Sequence, residues 1–177
     1  MKVILTELPR VLIIEPQVFE DPRGWFMETY NKLKTPQIDC DFVQDNHSLS
    51  LHAGTLRGIH FQRRPMEQAK LVRCIRGAIR DYAVDIRPDS PTFRQWISVE
   101  LSAENKRMLF IPRGYGHAFL TLLENTEVVY KVDEYYSSEH DGVVLWSDPE
   151  FGVEWGIDAP ILSDKDAGAP TSRELIA

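Results

Sequence analysis

Apolar and polar residues alternate along most of the chain, and this period of two is typical of β-strands rather than of helices. The alternating stretches are rich in Val, Ile, Phe and Tyr, and turn signals such as DPRG (21–24) and RPDSP (87–91) separate them. The predicted strands span residues 11–14, 42–46, 71–75, 81–86, 96–101, 108–111, 119–122 and 128–132. Helical signals are confined to residues 30–35 and to a short piece after Pro170. Many short strands at close spacing predict a mainly β fold, a sandwich or a small antiparallel barrel of the jelly-roll type.

The period of two also predicts which side chains point to the same face of a strand. The shared faces are those of Lys70, Val72 and Cys74, of His60 and Gln62, and of Val128, Tyr130 and Val132. Lys70 and Tyr130 therefore lie among apolar neighbours, as positions inside a barrel do. We expect both to line the interior.

Composition narrows the possible classes of protein. At 177 residues the chain is long enough for one buried core and short for two, so we expect a single domain over residues 1–177. A net charge of −7 argues against a nucleic-acid binder, which needs a basic face. No run approaches the roughly 18 apolar residues of a membrane span, and MKVILTELPR (1–10) lacks the features of a secretory signal. Cys40 and Cys74 are expected to be free thiols, which favours a cytoplasmic location.

Two segments match the sequence motifs of cupin barrels. PRGYGH (112–117) fits Pro-x-Gly-x-x-His, and GTLRGIHFQRRPME (54–67) fits Gly-x5-His-x-His-x4-Glu except that Gln62 replaces the second histidine. In metal-binding cupins these positions supply imidazoles and a carboxylate to one divalent ion, and a neutral amide is a poor substitute. The pattern therefore favours a cavity with another use, although a metal site built from His60, Glu67 and His117 stays open.

The remaining candidate groups are ambiguous from sequence alone. His52 and His140 lie in polar, loop-like surroundings and are predicted to be surface residues, whereas an imidazole in a motif position can exchange a proton near neutral pH. The composition of ILSDKDAGAP (161–170), with two aspartates and a lysine, indicates a solvated turn. Arg23 follows a turn signal and precedes two aromatic residues; its guanidinium suits a phosphate, and an aromatic ring can stack on a base.

Ordered blocks along nearly the whole chain resemble the dTDP-4-dehydrorhamnose 3,5-epimerases, cupin-fold enzymes of deoxysugar-nucleotide biosynthesis. The blocks are VLIIEPQVFEDPRGWFMETYN (11–31), FVQDNHSLS (42–50), LRGIHFQ (56–62), QAKLVRCIRG (68–77), VDIRPDSPTF (84–93), LSAEN (101–105), IPRGYGHAF (111–119), VVYKVDEYY (128–136) and LSDKD (162–166). The resemblance implies a cupin-type jelly roll with short flanking helices. It also implies inversion of C3 and C5 of dTDP-4-dehydro-6-deoxy-D-glucose by proton abstraction beside the C4 ketone, without metal or cofactor.

The resemblance further implies a role for each site residue. His60 is the base and Asp166 its orienting partner. Lys70 stabilises the enolate oxygen, and Tyr130 donates a proton from the opposite face. The implied substrate contacts are Arg23 and Arg57 at the diphosphate, Phe26, Glu28, Gln44 and Asn46 at the nucleotide, Tyr136 packing on the nucleotide side, and His117 at the sugar. Because period two puts Arg57 opposite His60, its role requires a twist or bulge in that strand.

Members of this family are homodimers whose N-terminal strand segment crosses to the partner, so we expect a dimer in which Arg23 and Phe26 complete the neighbouring site. Neither a nucleic-acid polymer nor a membrane is expected as a partner. Three alternatives stay open: an epimerase acting at C3 only or C5 only, a metal-dependent cupin, and a sugar-binding cupin without catalytic activity. Hydrogen exchange at the sugar carbons and metal analysis distinguish them.

Overall fold

The computed structural model describes residues 1–176 and contains two antiparallel sheets with a shared core between them. The strands are β1 (Lys2–Leu5), β2 (Leu12–Glu15), β3 (Val18–Asp21), β4 (Gly24–Met27), β5 (Gln44–Ser50), β6 (Leu56–Gln62), β7 (Lys70–Arg76), β8 (Ala78–Asp85), β9 (Trp96–Ser102), β10 (Met108–Ile111), β11 (Tyr115–Thr121), β12 (Thr126–Val132) and β13 (Asp141–Val143). Two short helices follow, α1 (Asp164–Ala167) and α2 (Ser172–Ile176), and a 3-10 turn occupies Lys32–Lys34.

The strand order makes a jelly roll. One sheet has six strands in the order β1-β2-β10-β7-β12-β5, and the other has five in the order β13-β6-β11-β8-β9. Strands β3 and β4 form a separate hairpin joined at the predicted DPRG turn. The expected fold class, mainly β with short flanking helices, is confirmed.

Apolar side chains fill the space between the sheets and also cover their outer faces. The inner core draws on both sheets, with Val72, Cys74, Leu109 and Val128 from one and Ile79, Ala83, Leu101 and Phe119 from the other. The C-terminal segment covers the outside of the five-stranded sheet through Phe151 and Trp155, and Ile38 packs on the outside of the six-stranded sheet. With both faces covered, a polar residue pointing between the sheets is held away from bulk water.

Each predicted strand overlaps an observed one, but several strands had no adequate signal in the sequence. Strands β1, β3, β4 and β13 were missed because they are short or carry polar residues at many positions, and β6 was implied only by the shared face of His60 and Gln62. Strand β11 begins at Tyr115, inside the PRGYGH motif and four residues before the predicted strand at 119–122. The predicted free thiols are confirmed, with Cys74 buried and Cys40 partly exposed. In the described part of the chain, no helix has the length and apolar character to cross a membrane.

A bulge in β6 has a direct consequence for the site. His60 pairs with His117 and Arg57 pairs with Phe119, so three steps along β6 match two steps along β11. An extra residue of this kind reverses the parity of the strand. The bulge includes Gly58, at φ 137°, where a Cβ atom would lie 2.3 Å from the Cβ of Ala118. The bulge that the sequence required for Arg57 and His60 to share a face is therefore present.

Candidate active site

The structure joins His60 of β6 to Asp166 of α1 across 106 positions of sequence. The His60 Nε2 atom lies 2.5 Å from Asp166 Oδ1. Asp166 is buried because α1 begins directly after Ser163, whose hydroxyl accepts a hydrogen bond from the Asp166 backbone N–H at 3.1 Å. The solvated turn predicted for ILSDKDAGAP (161–170) is therefore wrong for Asp166, because local composition does not reveal the packing of α1 against β6.

The charge state of Asp166 determines which nitrogen of His60 is basic. Burial raises the pKa of Asp166, but hydrogen bonds from His60 and Ser163 and the charge of Lys165 outweigh it, so the pKa lies below its ordinary value. The carboxylate is then ionised at neutral pH and accepts a hydrogen bond from the Nε2–H of His60. His60 Nδ1 is left with its lone pair. The His60 side chain is about one third exposed, so the imidazole is accessible to a ligand.

A second pair, His117 and Asp81, lies deeper between the sheets. His117 stands opposite His60 in the ladder, and its Nε2 is 2.7 Å from Asp81 Oδ1. Burial lowers the pKa of His117 and raises the pKa of Asp81, so both groups are pushed towards their neutral forms. Sequence reasoning missed Asp81. The available signal was its parity with Ile79 and Ala83, which both point into the core.

Lys70 opens β7 and points between the sheets, as its parity with Val72 and Cys74 predicted. Burial lowers the pKa of Lys70 to about 8, against the charges of Asp81 and Asp141, which raise it. The side chain is therefore mostly an ammonium at neutral pH, although it has little contact with water. A desolvated ammonium stabilises a negative oxygen more strongly than an exposed one does.

Tyr130 lies on β12, beside β7, and packs against the inner core. Its ring centroid is 6.4 Å from that of His117 in an edge-on arrangement. Burial raises the pKa of the Tyr130 phenol, against the charge of Arg57, so the hydroxyl keeps its proton at neutral pH. Arg57 is held by hydrogen bonds to Ser50 Oγ at 3.2 Å and to the Leu49 carbonyl at 3.1 Å.

Gln44, Asn46 and Tyr136 form one hydrogen-bonded group at the rim of the barrel. Gln44 Nε2 donates to Asn46 Oδ1 at 2.9 Å, and Gln44 Oε1 accepts from the Tyr136 backbone N–H at 3.2 Å. Asn46 lies beside Tyr130 in the ladder, so the group adjoins the interior. The exposed ring of Tyr136 is the aromatic surface in this group.

Arg23, Phe26 and Glu28 are not brought to the His60 site within one chain. Arg23 pairs with Asp21 of its own hairpin, and Glu28 bonds with Asn31 and Lys34. Phe26 is 66% exposed. These residues belong to the separate β3–β4 hairpin or to the segment directly after it.

The cupin metal motif is not assembled here. Gln62 directs its amide to the backbone of Met66, Tyr135 and Ser137. Glu67 pairs with Arg64 and lines a cavity of about 640 Å³ whose lining residues include neither His60 nor His117. Within residues 1–176, no group of three His, Cys, Asp or Glu side chains is placed to hold a metal ion. The donor set left beside His60 does not fit a cupin metal centre.

Comparison with known proteins identifies one family for this chain. The family model described as dTDP-4-dehydrorhamnose 3,5-epimerase matches residues 5–174. The protein of that name from Salmonella typhimurium is 52% identical over 174 residues, which is 96% of this chain and 94% of the relative. A Bacillus anthracis dTDP-4-dehydrorhamnose 3,5-epimerase, solved with TDP and PPi bound, superposes with a TM-score of 0.93 at 51% identity, over 96% of this chain and 98% of that one. A Legionella pneumophila dTDP-6-deoxy-D-glucose-3,5-epimerase, solved in complex with dTDP-4-keto-L-rhamnose, gives a TM-score of 0.92 at 39% identity, over 97% of this chain and 93% of that one.

Proposed function

The chain belongs to the dTDP-4-dehydrorhamnose 3,5-epimerase family, and we propose that it converts dTDP-4-dehydro-6-deoxy-D-glucose into dTDP-4-dehydro-L-rhamnose by inverting C3 and C5. One observation carries the proposal: proton-transfer groups line both sides of the space between the sheets. His60 belongs to the five-stranded sheet, whereas Lys70 and Tyr130 belong to the six-stranded sheet. Inversion at carbon needs a base on one face and an acid on the other, and this arrangement supplies both.

The proposed step begins at a carbon beside the C4 ketone. His60 Nδ1 takes the proton, and the C–H electron pair moves onto the C4 oxygen to form an enolate. The Lys70 ammonium stabilises the negative oxygen, and Asp166 stabilises the imidazolium. Tyr130 then gives its proton to the opposite face of the carbon as the enolate returns to the ketone. Solvent reprotonates Tyr130 and deprotonates His60 before the second carbon reacts.

The nucleotide end of the substrate is assigned to the rim. Arg57 lies near Tyr130 and faces the same side as His60, which supports a contact with the diphosphate. Gln44, Asn46 and Tyr136 are proposed to bind the thymidine, and His117 the sugar. Support for this class of substrate comes from relatives solved with TDP and PPi or with dTDP-4-keto-L-rhamnose.

We further propose a homodimer in which each β3–β4 hairpin enters the neighbouring site. The hairpin exposes large aromatic surfaces, with Phe19 52%, Trp25 53% and Phe26 66% exposed. Exposed aromatic clusters mark interaction surfaces. Arg23, Phe26 and Glu28 would then contact the nucleotide bound to the partner. The free thiols support a reducing, cytoplasmic location.

Complementation between inactive chains tests the dimer. Arg23→Ala and His60→Ala chains, each inactive alone, are co-expressed, and the mixed dimer has one intact site if the hairpins are exchanged. Random pairing then restores roughly a quarter of wild-type activity. No recovery in a mixture shown to contain heterodimers would place Arg23 in its own subunit's site, and a fully active monomer would refute the dimer.

Deuterium wash-in tests the reaction itself. The protein is incubated with dTDP-4-dehydro-6-deoxy-D-glucose in D₂O, and NMR follows C3 and C5. Exchange and inversion at both carbons are expected. Exchange at one carbon would identify a single epimerase, and no exchange would favour the sugar-binding alternative. Activity that is lost to a chelator and restored by iron, manganese or zinc would favour the metal-dependent alternative.

A further inference from the structure

Gln62 has more polar contacts than its place in a broken metal motif would require. It ends β6 on the same sheet as His60 and is buried. Its Nε2 donates to the carbonyls of Met66 at 2.5 Å and of Tyr135 at 3.2 Å, and its Oε1 accepts from the Ser137 backbone N–H at 2.7 Å. Both N–H groups and the carbonyl of the amide are therefore in use.

Two of these contacts flank Tyr136, on its preceding and following residues. The same tyrosine is held at two further points, because its backbone N–H donates to Gln44 and its hydroxyl donates to Asp141 Oδ2 at 3.3 Å. The residue is nevertheless 59% exposed. An exposed ring on a backbone fixed at both neighbours is a preformed stacking surface, which loses little entropy when a base binds.

We propose that Gln62 is a positioning residue that fixes the Tyr136 segment for nucleotide binding. This inference rests on the proposed function, which assigns Tyr136 to the nucleotide. Gln62 acts on the affinity for the nucleotide and has no part in proton transfer. An amide suits the position because it presents donors and an acceptor at one end, and the segment offers both carbonyls and an N–H. A glutamate loses the donors, and a methionine of similar length loses every hydrogen bond.

A matched pair of variants isolates the effect. Gln62→Met removes the contacts that flank Tyr136. Gln68→Met is the control, because Gln68 Nε2 donates at 2.8 Å to the carbonyl of Glu134, in the same segment but not next to Tyr136. Titration calorimetry with dTDP measures affinity, hydrogen exchange followed by NMR measures protection of the Tyr136 and Ser137 amides, and turnover of the dTDP-sugar separates kcat from KM.

We expect Gln62→Met to weaken dTDP binding and raise KM about tenfold, the scale of one lost stacking contact, with kcat within about twofold of wild type. Gln68→Met leaves the affinity within about twofold. Tyr136→Ala weakens binding by a similar factor. Because both residues act through one ring, adding Gln62→Met to Tyr136→Ala produces little further loss.

Several results would overturn the inference. Unchanged Ser137 protection in Gln62→Met would show that Gln62 does not hold the segment, whether or not the chain is an epimerase. Faster amide hydrogen exchange at Ser137 with unchanged dTDP affinity would remove the link to the nucleotide. Additive losses of dTDP affinity in the double variant would do the same. Equal losses in kcat and in affinity would indicate general damage to the site. Wild-type protein that binds dTDP but exchanges neither carbon would refute the proposed reaction and leave the role of Gln62 standing.

Discussion

The barrel contains two His–Asp pairs of the same chemistry whose surroundings give them opposite properties. In the first, His60–Asp166, the carboxylate sits at the start of α1 with a hydroxyl hydrogen-bonded to its backbone, and its pKa is lowered. In the second, His117–Asp81, burial raises the pKa of the carboxyl group and lowers that of the imidazole. Asp81 Oδ2 also has no hydrogen-bond partner within the described residues. Hydrogen bonds and neighbouring charges thus outweigh burial at Asp166, whereas in the second pair burial disfavours the charged form of both groups.

The solvent exposure of the two histidines indicates the same division of roles. The His60 side chain is 34% exposed and that of His117 is 6% exposed, although the two residues face each other in one ladder. A base must reach its substrate, whereas a neutral buried imidazole can line the cavity and orient a hydroxyl group. We therefore assign proton abstraction to the first pair alone, and the predictions below test that assignment.

The largest expected effect is that of His60→Ala. Removing the base should slow deuterium exchange at both C3 and C5 by about 10³-fold or more, at the upper end of what general bases contribute. His117→Ala is the matched variant, and its loss should be at least tenfold smaller because it removes a cavity contact rather than the base. NMR exchange rates measure both variants, and circular dichroism checks their folding. Equal losses would show that the second pair also moves protons.

Lys70→Met should reduce exchange by about 10²- to 10³-fold, because the enolate loses its charged partner. The Lys70→Met substitution should also stabilise the fold.

The pKa of Lys70 falls from 10.5 in the unfolded chain to about 8 in the folded protein, so burial of the ammonium costs roughly 3 kcal/mol at most at pH 7. Below pH 8 both states are protonated and the cost is present in full; between pH 8 and 10.5 the folded state loses its proton and the cost shrinks.

Denaturant unfolding should therefore show Lys70→Met more stable than wild type by roughly 1–3 kcal/mol at pH 7, with a gap that narrows above pH 8. The exchange rate and the unfolding curve both report on Lys70, which lies near the His117–Asp81 pair, since the charge of Asp81 raises the pKa of Lys70. A variant that is both inactive and less stable would mean that the ammonium is well solvated in the folded protein.

The sequence predicted the interior positions of Lys70 and Tyr130 because strand parity is local, and neighbours such as Val72 define the face. It did not predict Asp81, although parity with Ile79 and Ala83 marks its face, because the predicted strand began at residue 81 and left Ile79 outside. Asp166 was reached only through family resemblance, because its contact with His60 spans 106 residues. The same holds for Gln62: the motif showed a missing histidine, but only the folded chain brings Tyr135 and Ser137 to its amide.

Tyr130→Phe should separate the two halves of the reaction. The phenol lies on the sheet opposite His60, so its loss should leave proton removal within a few-fold of wild type and slow inversion by about 10²-fold. Deuterium would then enter with retained configuration, which NMR distinguishes from inversion. Unchanged inversion would place the acid elsewhere, and Tyr136 is the next candidate. Because Tyr130 packs against His117, a calorimetric melting curve should accompany the measurement.

Asp166→Asn should lower the exchange rate by about 10- to 100-fold, the usual range for a group that orients a functional imidazole. The amide offers an oxygen to Nε2 but no charge to stabilise the imidazolium. The exchange rate should fall at alkaline pH as the Lys70 ammonium loses its proton, and this alkaline limb of the pH profile should stay near pH 8. Asp166 is not among the charges that shift the pKa of Lys70. A displaced alkaline limb would show that the two pairs are electrostatically coupled.

Asp81→Asn should have the smallest effect at neutral pH and is the sharpest test of the second pair. Lys70 is influenced by Asp81 and Asp141, which raise its pKa, and by Lys165, which lowers it. Removing the Asp81 charge makes the ammonium easier to deprotonate, so the alkaline limb should move from about 8 to lower pH. The rate should then be a few-fold lower at pH 8 and nearly unchanged at pH 6.5. An unmoved limb would mean that Asp81 is already protonated in the wild-type protein, and the second pair would then serve only to shape the cavity.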